Sequence, residues 1–341
     1  MKKKILVLVF ALCLVIGLAA CAGGGETASG EFPSRSIDGV VQWGAGGGTD
    51  TLMRPLAALA EGYLDVSIVV SNMPGATGSI ATQYVYDRPG DGYTLLMGAE
   101  NPALYRALGI SELTYEDFEP VFLIGDETVG IIVRADSPFE SFSEIVEAAL
   151  ESPGTVRLAT TGTGGLPWTI GAFITDVTGA SFNQIPYESD AAARTAVISG
   201  EADFTVAKIQ AGVEAYLAGE VIFLTMLALE PVAVLPHIPL IVEEFPGFDQ
   251  YLPWGTFYGV FVRSGTDQSI IDTLAEAFLA ASQSDTYQEL LESFNVNFMG
   301  YVGGQARAYI SAWQANTVRA LESSGALAES AAFVRARTGV R

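Results

Sequence analysis

Short apolar runs and helix-spaced apolar positions take turns along most of the chain. GVVQW (39–43), VSIVV (66–70) and TLLMG (94–98) have the length and composition of strands, while TLMRPLAALAEGYL (51–64) and ATQYVYDR (81–88) space their apolar side chains at helical intervals. Strands alternating with helices predict βαβ units and a parallel sheet, because a parallel pair needs a crossover long enough to hold a helix. The arrangement recurs in FLIGDETVGIIVR (122–134), SFSEIVEAALES (141–152), TVRLATT (155–161), a helical stretch near Trp168 to Thr178, FNQIPY (182–187) and AARTAVISG (192–200). A second α/β unit is therefore expected. Near the end, TFYGVFVRS (256–264) reads as a strand, and 268–284 and 307–323 have helical spacing. The pattern leaves open whether this last segment forms its own unit or returns to the first.

The N-terminus follows a different rule. Lys2, Lys3 and Lys4 precede an apolar run from Ile5 to Leu18, the layout of an export signal, and the run to Ala20 is shorter than the ~20 residues of a membrane span. Leu18-Ala19-Ala20-Cys21 looks like a bacterial lipobox, so residues 1–20 are expected to be removed and Cys21 to be acylated. Residues 21–31, rich in glycine and small polar side chains, then form a tether, and the folded part begins near Phe32. Cys13 lies in the signal and Cys21 at the lipid site, which leaves no thiol for a disulfide or for catalysis.

Composition narrows the class of partner. With 341 residues, 50% hydrophobic and 16% charged, the chain has material for two or three packed cores. Its 39 acidic residues outnumber 17 basic ones, for a formal charge of −22, and loss of the signal leaves Lys208 as the only lysine. Such a surface repels phosphate backbones over about a Debye length of ~8 Å, so no nucleic-acid partner is expected.

Two glycine-rich loops carry the candidate chemistry. Trp43-Gly44-Ala45-Gly46-Gly47-Gly48-Thr49-Asp50 joins a strand to a helix opening at about Thr51. Glycines let backbone N–H groups approach a ligand, and the first helical turn adds unpaired donors and the positive end of its dipole, which suits a carboxylate or phosphate oxygen. The spacing matches neither a dinucleotide fingerprint nor a nucleotide phosphate loop, and no cofactor is expected. Asp50 reads more naturally as a helix cap than as a contact to an anion. A second loop of the same kind, Thr161-Gly162-Thr163-Gly164-Gly165, again follows a strand and precedes a helix bearing Trp168. Facing each other across a cleft, the two would hold both ends of a small acid, with the hydroxyls of Thr49, Thr161 and Thr163 supplementing the amides. Tyr187, Ser189 and Asp190 form a weaker third candidate, with Ser189 or Asp190 as a cap and the hydroxyls of Tyr187 and Ser189 turned into the cleft.

The search for catalysis is negative. His237 is the sole histidine and sits between Pro236 and Pro239, where a structural role is expected. There is no Gly-x-Ser-x-Gly elbow, no histidine pair and no metal-ligand spacing.

GAGGGTD (44–50), then PGATG (74–78), then DGYTLL (91–96), together with FPSRSI (32–37), TTGTGG (160–165), the IPY run and TFYGVFVRSGT (256–266), resembles the tripartite tricarboxylate transporter receptors, also called Bug proteins. The resemblance runs from about residue 32 to 327. It implies a type II periplasmic-binding-protein fold, two α/β lobes with a ligand cleft between them: 32–131 and 256–341 in lobe one, 132–255 in lobe two. It also implies a carboxylate held by the loops at 46–50 and 161–165, closure over it like a clamp, and delivery to a membrane permease. Three departures concern the pocket. Gln42-Trp43 stands where such receptors often have Pro-Phe, Trp168 where many carry a histidine, and Glu188-Ser189 where many carry Lys-Gly. The two tryptophans suggest a ring or apolar tail on the acid. Alongside the receptor, a sensing protein that docks on a signalling partner stays open, and a secreted hydrolase lacks a base.

Overall fold

The computed structural model describes residues 32–187 and 189–327. The lipidation candidate Cys21 and the departure at Glu188 lie outside them. From Arg35 to Leu327 the chain forms one compact unit built on two sheets.

The first sheet starts with β1 (Ile37–Val41), α1 (Gly48–Leu64), β2 (Ile68–Asn72), α2 (Ser79–Tyr86), β3 (Thr94–Ala99), a one-turn α3 (Tyr105–Leu108) and β4 (Phe118–Glu127). β1 pairs in parallel with β2 and β3, as alternation of strand and helix requires. In α1 the apolar Leu52, Met53, Leu56, Ala57, Ala60 and Leu64 recur at helical intervals and are all buried. Pro55 falls outside the first turn of this helix, although proline interrupts the amide ladder there.

The run 122–134 is two strands. β4 ends at Glu127, and after Thr128 the chain enters β5 (Val129–Arg134), whose neighbours lie in the other sheet. The polar Asp126-Glu127-Thr128 in the middle of the run marks the change of sheet, and each half is buried on both faces in its own sheet. The second sheet continues with α4 (Phe142–Glu151), β6 (Arg157–Thr160), α5 (Leu166–Thr178), β7 (Asn183–Pro186) and α6 (Asp190–Ser199). Residues 201–255, unassigned by the pattern above, supply β8 (Phe204–Lys208), α7 (Ile209–Leu217), β9 (Val221–Met226) and a short α8 (Ile241–Glu244). The order is β7-β6-β8-β5-β9.

The last segment returns to the first sheet. β10 (Thr256–Arg263) inserts antiparallel between β3 and β4; after α9 (Gln268–Ser282) and α10 (Asp285–Ser293), β11 (Val296–Tyr301) takes the edge beside β4, giving β11-β4-β10-β3-β1-β2. The final helix α11 (Gly303–Ser323) closes the fold. Its Trp313 stacks on Trp254, which meets Phe173 of α5 edge to face, so one aromatic cluster joins elements of both sheets. This mixed α/β architecture on two sheets agrees with the fold that the resemblance implies.

Candidate functional site

Strand direction decides where the loops fall. In the first sheet, Val41 stands opposite both Asn72 and Met97, Ala99 opposite Tyr258, and Glu127 opposite Thr256. The glycine loop after β1, the turn after β2, Glu100, Glu127 and the start of β10 therefore share one edge. In the second sheet Thr160 stands opposite Pro186, and Lys208 opposite Val129, so the loop after β6, the α6 cap and Lys208 share another. These two edges touch. Asn101 Nδ2 donates to the Gly164 carbonyl at 3.2 Å and Lys208 Nζ donates to the Tyr258 hydroxyl at 2.9 Å. Carboxyl ends of parallel strands are where open α/β sheets bind ligands.

Each glycine loop ends in the same turn. Gly47 N–H donates to Gly44 O at 3.2 Å and Gly165 N–H donates to Gly162 O at 3.0 Å. Gly47 and Gly165 are the N-caps, with φ/ψ of −75/165° and −77/161°, and neither cap uses a side chain. The left-handed φ of Gly46 (+75°), Gly162 (+86°) and Gly164 (+79°) makes these positions glycine-specific. α1 thus starts at Gly48 rather than Thr51, and the expected cap by Thr49 or Asp50 gives way to Gly47. The amides of Gly48, Thr49 and Asp50 fall outside the helical ladder and point along the positive end of the dipole. In the second loop Pro167, at the second helical position, has no N–H and removes one donor.

The remaining candidates differ in what they do. Asp50 folds back into its own loop: Oδ2 accepts from Gly46 N–H at 2.9 Å, and Oδ1 accepts from Arg54 at 2.6 Å and from Asn72 Nδ2 at 3.0 Å. Burial alone would raise its pKa, but the Gly46 amide, Arg54 and Asn72 outweigh it and hold the carboxyl below its ordinary value. Asn72 Nδ2 also donates to the Trp43 carbonyl at 3.0 Å. Thr49 is buried, while Thr161, Thr163 and Trp43 are half-buried. Half-buried Trp168 packs against the main core. Ser189 Oγ accepts from Ala192 N–H at 3.2 Å as the cap of α6, and Asp190 is exposed in its first turn. Half-buried Tyr187 packs against the small cluster of Ala159, Ala193, Ala196, Val197 and Ala202. Partial burial first, then the Glu201 carboxylate beside it, raises its pKa, and Glu201 follows the far end of α6. His237 rests on Tyr216 (3.1 Å between Nε2 and the hydroxyl), as expected of a structural residue.

Five polar residues escaped the motif reading. Lys208 crosses from the second sheet to the Tyr258 hydroxyl, which in turn donates to Glu127. A Cβ added at Gly48 would stand 3.2 Å from that hydroxyl and 3.4 Å from Lys208 Nζ, so this chain of polar groups lies beside the first glycine turn. Burial, opposed by Lys208 and by the Tyr258 hydrogen bond, raises Glu127 above its ordinary value. Glu100 and Asn101 follow β3 directly, and Asn101 accepts from Gln42 Nε2 at 3.3 Å. The one signal for any of these in the sequence was the rarity of Lys208.

Comparison with known proteins bears on the same region. Residues 52–322 match the family described as the tripartite tricarboxylate transporter family receptor. The protein BugT of Bordetella pertussis is 26% identical over 310 residues, covering 88% of this chain and 93% of BugT. Among solved structures, R. palustris Rpa4515, determined with adipate, superposes with a TM-score of 0.78 at 24% identity over 86% of this chain and 99% of its own. MatC from Rhodopseudomonas palustris, with bound malate, superposes at 0.72 and 24% over 86% and 100%. Likeness at that identity speaks for the fold.

Proposed function

The chain belongs to the tripartite tricarboxylate transporter receptor family, and we propose that it captures a small organic acid outside the cytoplasmic membrane and presents it to a membrane permease of that transporter type. Members of this family are solute-binding receptors rather than enzymes. One observation carries the choice of ligand: two glycine-capped helix N-termini, closed by the same turn, stand on sheet edges that touch. Unpaired amides and dipole ends favour an anion, and a carboxylate is an anion small enough to meet both. The adipate and malate of the two solved relatives are acids of this class.

In this reading the working halves are residues 35–127 with 256–327, and 129–255. The acid rests on the amides of Gly48 and Thr49, and the second turn, with Thr161 and Thr163, closes onto it. A ligand that meets donors from both halves only in the closed arrangement binds that arrangement better and shifts the population towards it. Cys21, acylated, would tether the receptor to the membrane through residues 22–31. Among the described residues no helix is long and apolar enough to cross a bilayer.

A thermal-shift panel of mono-, di- and tricarboxylates, aromatic acids and amino acids tests the reading. At least one acid should raise Tm in a concentration-dependent way, since a ligand bound only to the folded state stabilises it by mass action. A panel in which no acid does so, while a neutral or cationic solute does, overturns it.

A further inference from the structure

Between the two glycine turns, acidic residues outnumber basic ones, and one carboxyl oxygen there is unmet among the described residues. Glu100 immediately follows β3; its neighbour Asn101 binds the Gly164 carbonyl of the second turn and the Gln42 side chain at the root of the first loop. The Glu100 residue is only 5% exposed, and among the described residues its Oε2 has no hydrogen-bond partner.

Charged and titratable groups face Glu100 from every side. Lys208 approaches from β8, Asp190 from α6 and Glu127 from the end of β4. The phenols of Tyr105, Tyr115, Tyr258 and Tyr309 also lie within its field. Lys208, the single cation among these groups, already donates to Tyr258, which donates to Glu127. Burial, only partly opposed by Lys208, pushes Glu100 up to about 7, and Asp190 and Glu127 add to the rise. A buried carboxylate without a partner is costly, and a second acid group arriving beside it increases the cost, whereas an ammonium lowers it.

We propose that the acid this cleft takes carries an amino group: its carboxylate rests on the glycine-turn amides and its ammonium is received by Glu100 Oε2. The ligand class is therefore an amino acid rather than a plain mono- or dicarboxylate. This rests on the acid-receptor reading above and narrows it. The same placement makes Glu100 the residue that discriminates between acids alike in all but the amine.

Titration calorimetry with matched pairs tests it: aspartate against succinate, glutamate against glutarate, leucine against 4-methylvalerate. The unaltered protein should bind the aminated member of at least one pair ten times or more tightly at pH 8. At pH 5, with Glu100 protonated, that preference should shrink, a comparison that needs no variant. Glu100→Gln should remove or reverse the preference at pH 8. Equal or tighter binding of the unaminated acids by the unaltered protein overturns the proposal and leaves the acid receptor standing. A preference that persists unchanged at pH 5, or in a folded Glu100→Gln, removes Glu100 from the role. If no member of any pair binds while another acid of the wider panel does, the amino-acid proposal falls and the acid receptor stands.

Discussion

The two glycine turns close with the same hydrogen bond and differ in what steadies them. The first is braced within its own sheet: Asp50 ties Gly46, Arg54 and Asn72 together, and Asn72 reaches on to the Trp43 carbonyl. Among the described residues the second has no charged brace. A Cβ at Gly165 would fall 2.1 Å from Thr161 Oγ1 and one at Gly164 would fall 2.7 Å from Leu108 Cδ1, so this turn is seated by packing. A side-chain hydrogen bond from Asn101 ties it to the opposite sheet. A turn braced by its own half keeps its shape whether or not the halves meet, whereas a turn seated on the other half depends on their contact. In the proposed receptor the first turn is thus a preformed seat with three free amides, and the second, with one amide removed by Pro167, completes the site on closure.

That contrast can be broken at several points. The largest effect is expected from Gly47→Leu, which keeps a backbone conformation open to any residue but sets a Cβ 3.2 Å from the Gly44 carbonyl and a bulky side chain in the turn that leads into the Gly48 and Thr49 amides. Binding of any acid, measured by calorimetry, should vanish while the far-ultraviolet circular dichroism is retained; unaltered affinity would remove this loop from the site. Asp50→Ala comes next. It leaves the Gly46 amide and the Asn72 amide without their acceptor and should lower stability by about 2–3 kcal/mol in urea unfolding. Because the folded-state pKa of Asp50 is lowered, its contribution is present above the unfolded value and fades as pH falls through the folded one. The deficit of Asp50→Ala should therefore narrow in acid.

Glu100 has the opposite sign. Its folded-state pKa is raised from 4.5 to about 7, so the native state holds the proton more tightly and stability falls as pH rises between those values. Ligand-free Glu100→Gln should lose less stability across that window than the unaltered protein, as read from urea midpoints; parallel profiles would show that Glu100 does not titrate there. The smallest effect is expected from Asn101→Ala. It removes the hydrogen bonds to the Gly164 carbonyl and from Gln42 Nε2, each worth about 0.5–1.5 kcal/mol, and the Gly164 share should fall on closure rather than on the fold. Small-angle scattering should show a larger radius of gyration for the ligand-free variant, and identical curves would mean that Asn101 does not hold the halves together.

What the sequence disclosed follows the range of the interactions involved. Both glycine turns were legible because strand, glycines and helix are contiguous and the glycines answer to local backbone geometry. The two-sheet α/β plan was legible from alternation, and the return of β10 from resemblance rather than from pattern. The change of sheets at Thr128 was passed over although the polar Asp126-Glu127-Thr128 interrupts the apolar run there, because a short polar break does not by itself tell a change of sheet from a continuing strand. Glu100, Asn101 and Lys208 meet the site only through partners far along the chain, as Asn101 does with Gly164 and Lys208 with Tyr258, and no local spacing records such a meeting.

A crystal structure of the protein with an acid that raises its Tm tests the central claim most directly. The account predicts carboxylate oxygens within about 3.2 Å of the Gly48 and Thr49 amide nitrogens, with the Gly162–Gly165 turn on the opposite side of the same molecule. An acid bound with both turns empty, or gripped by arginine side chains away from the two sheet edges, would contradict it.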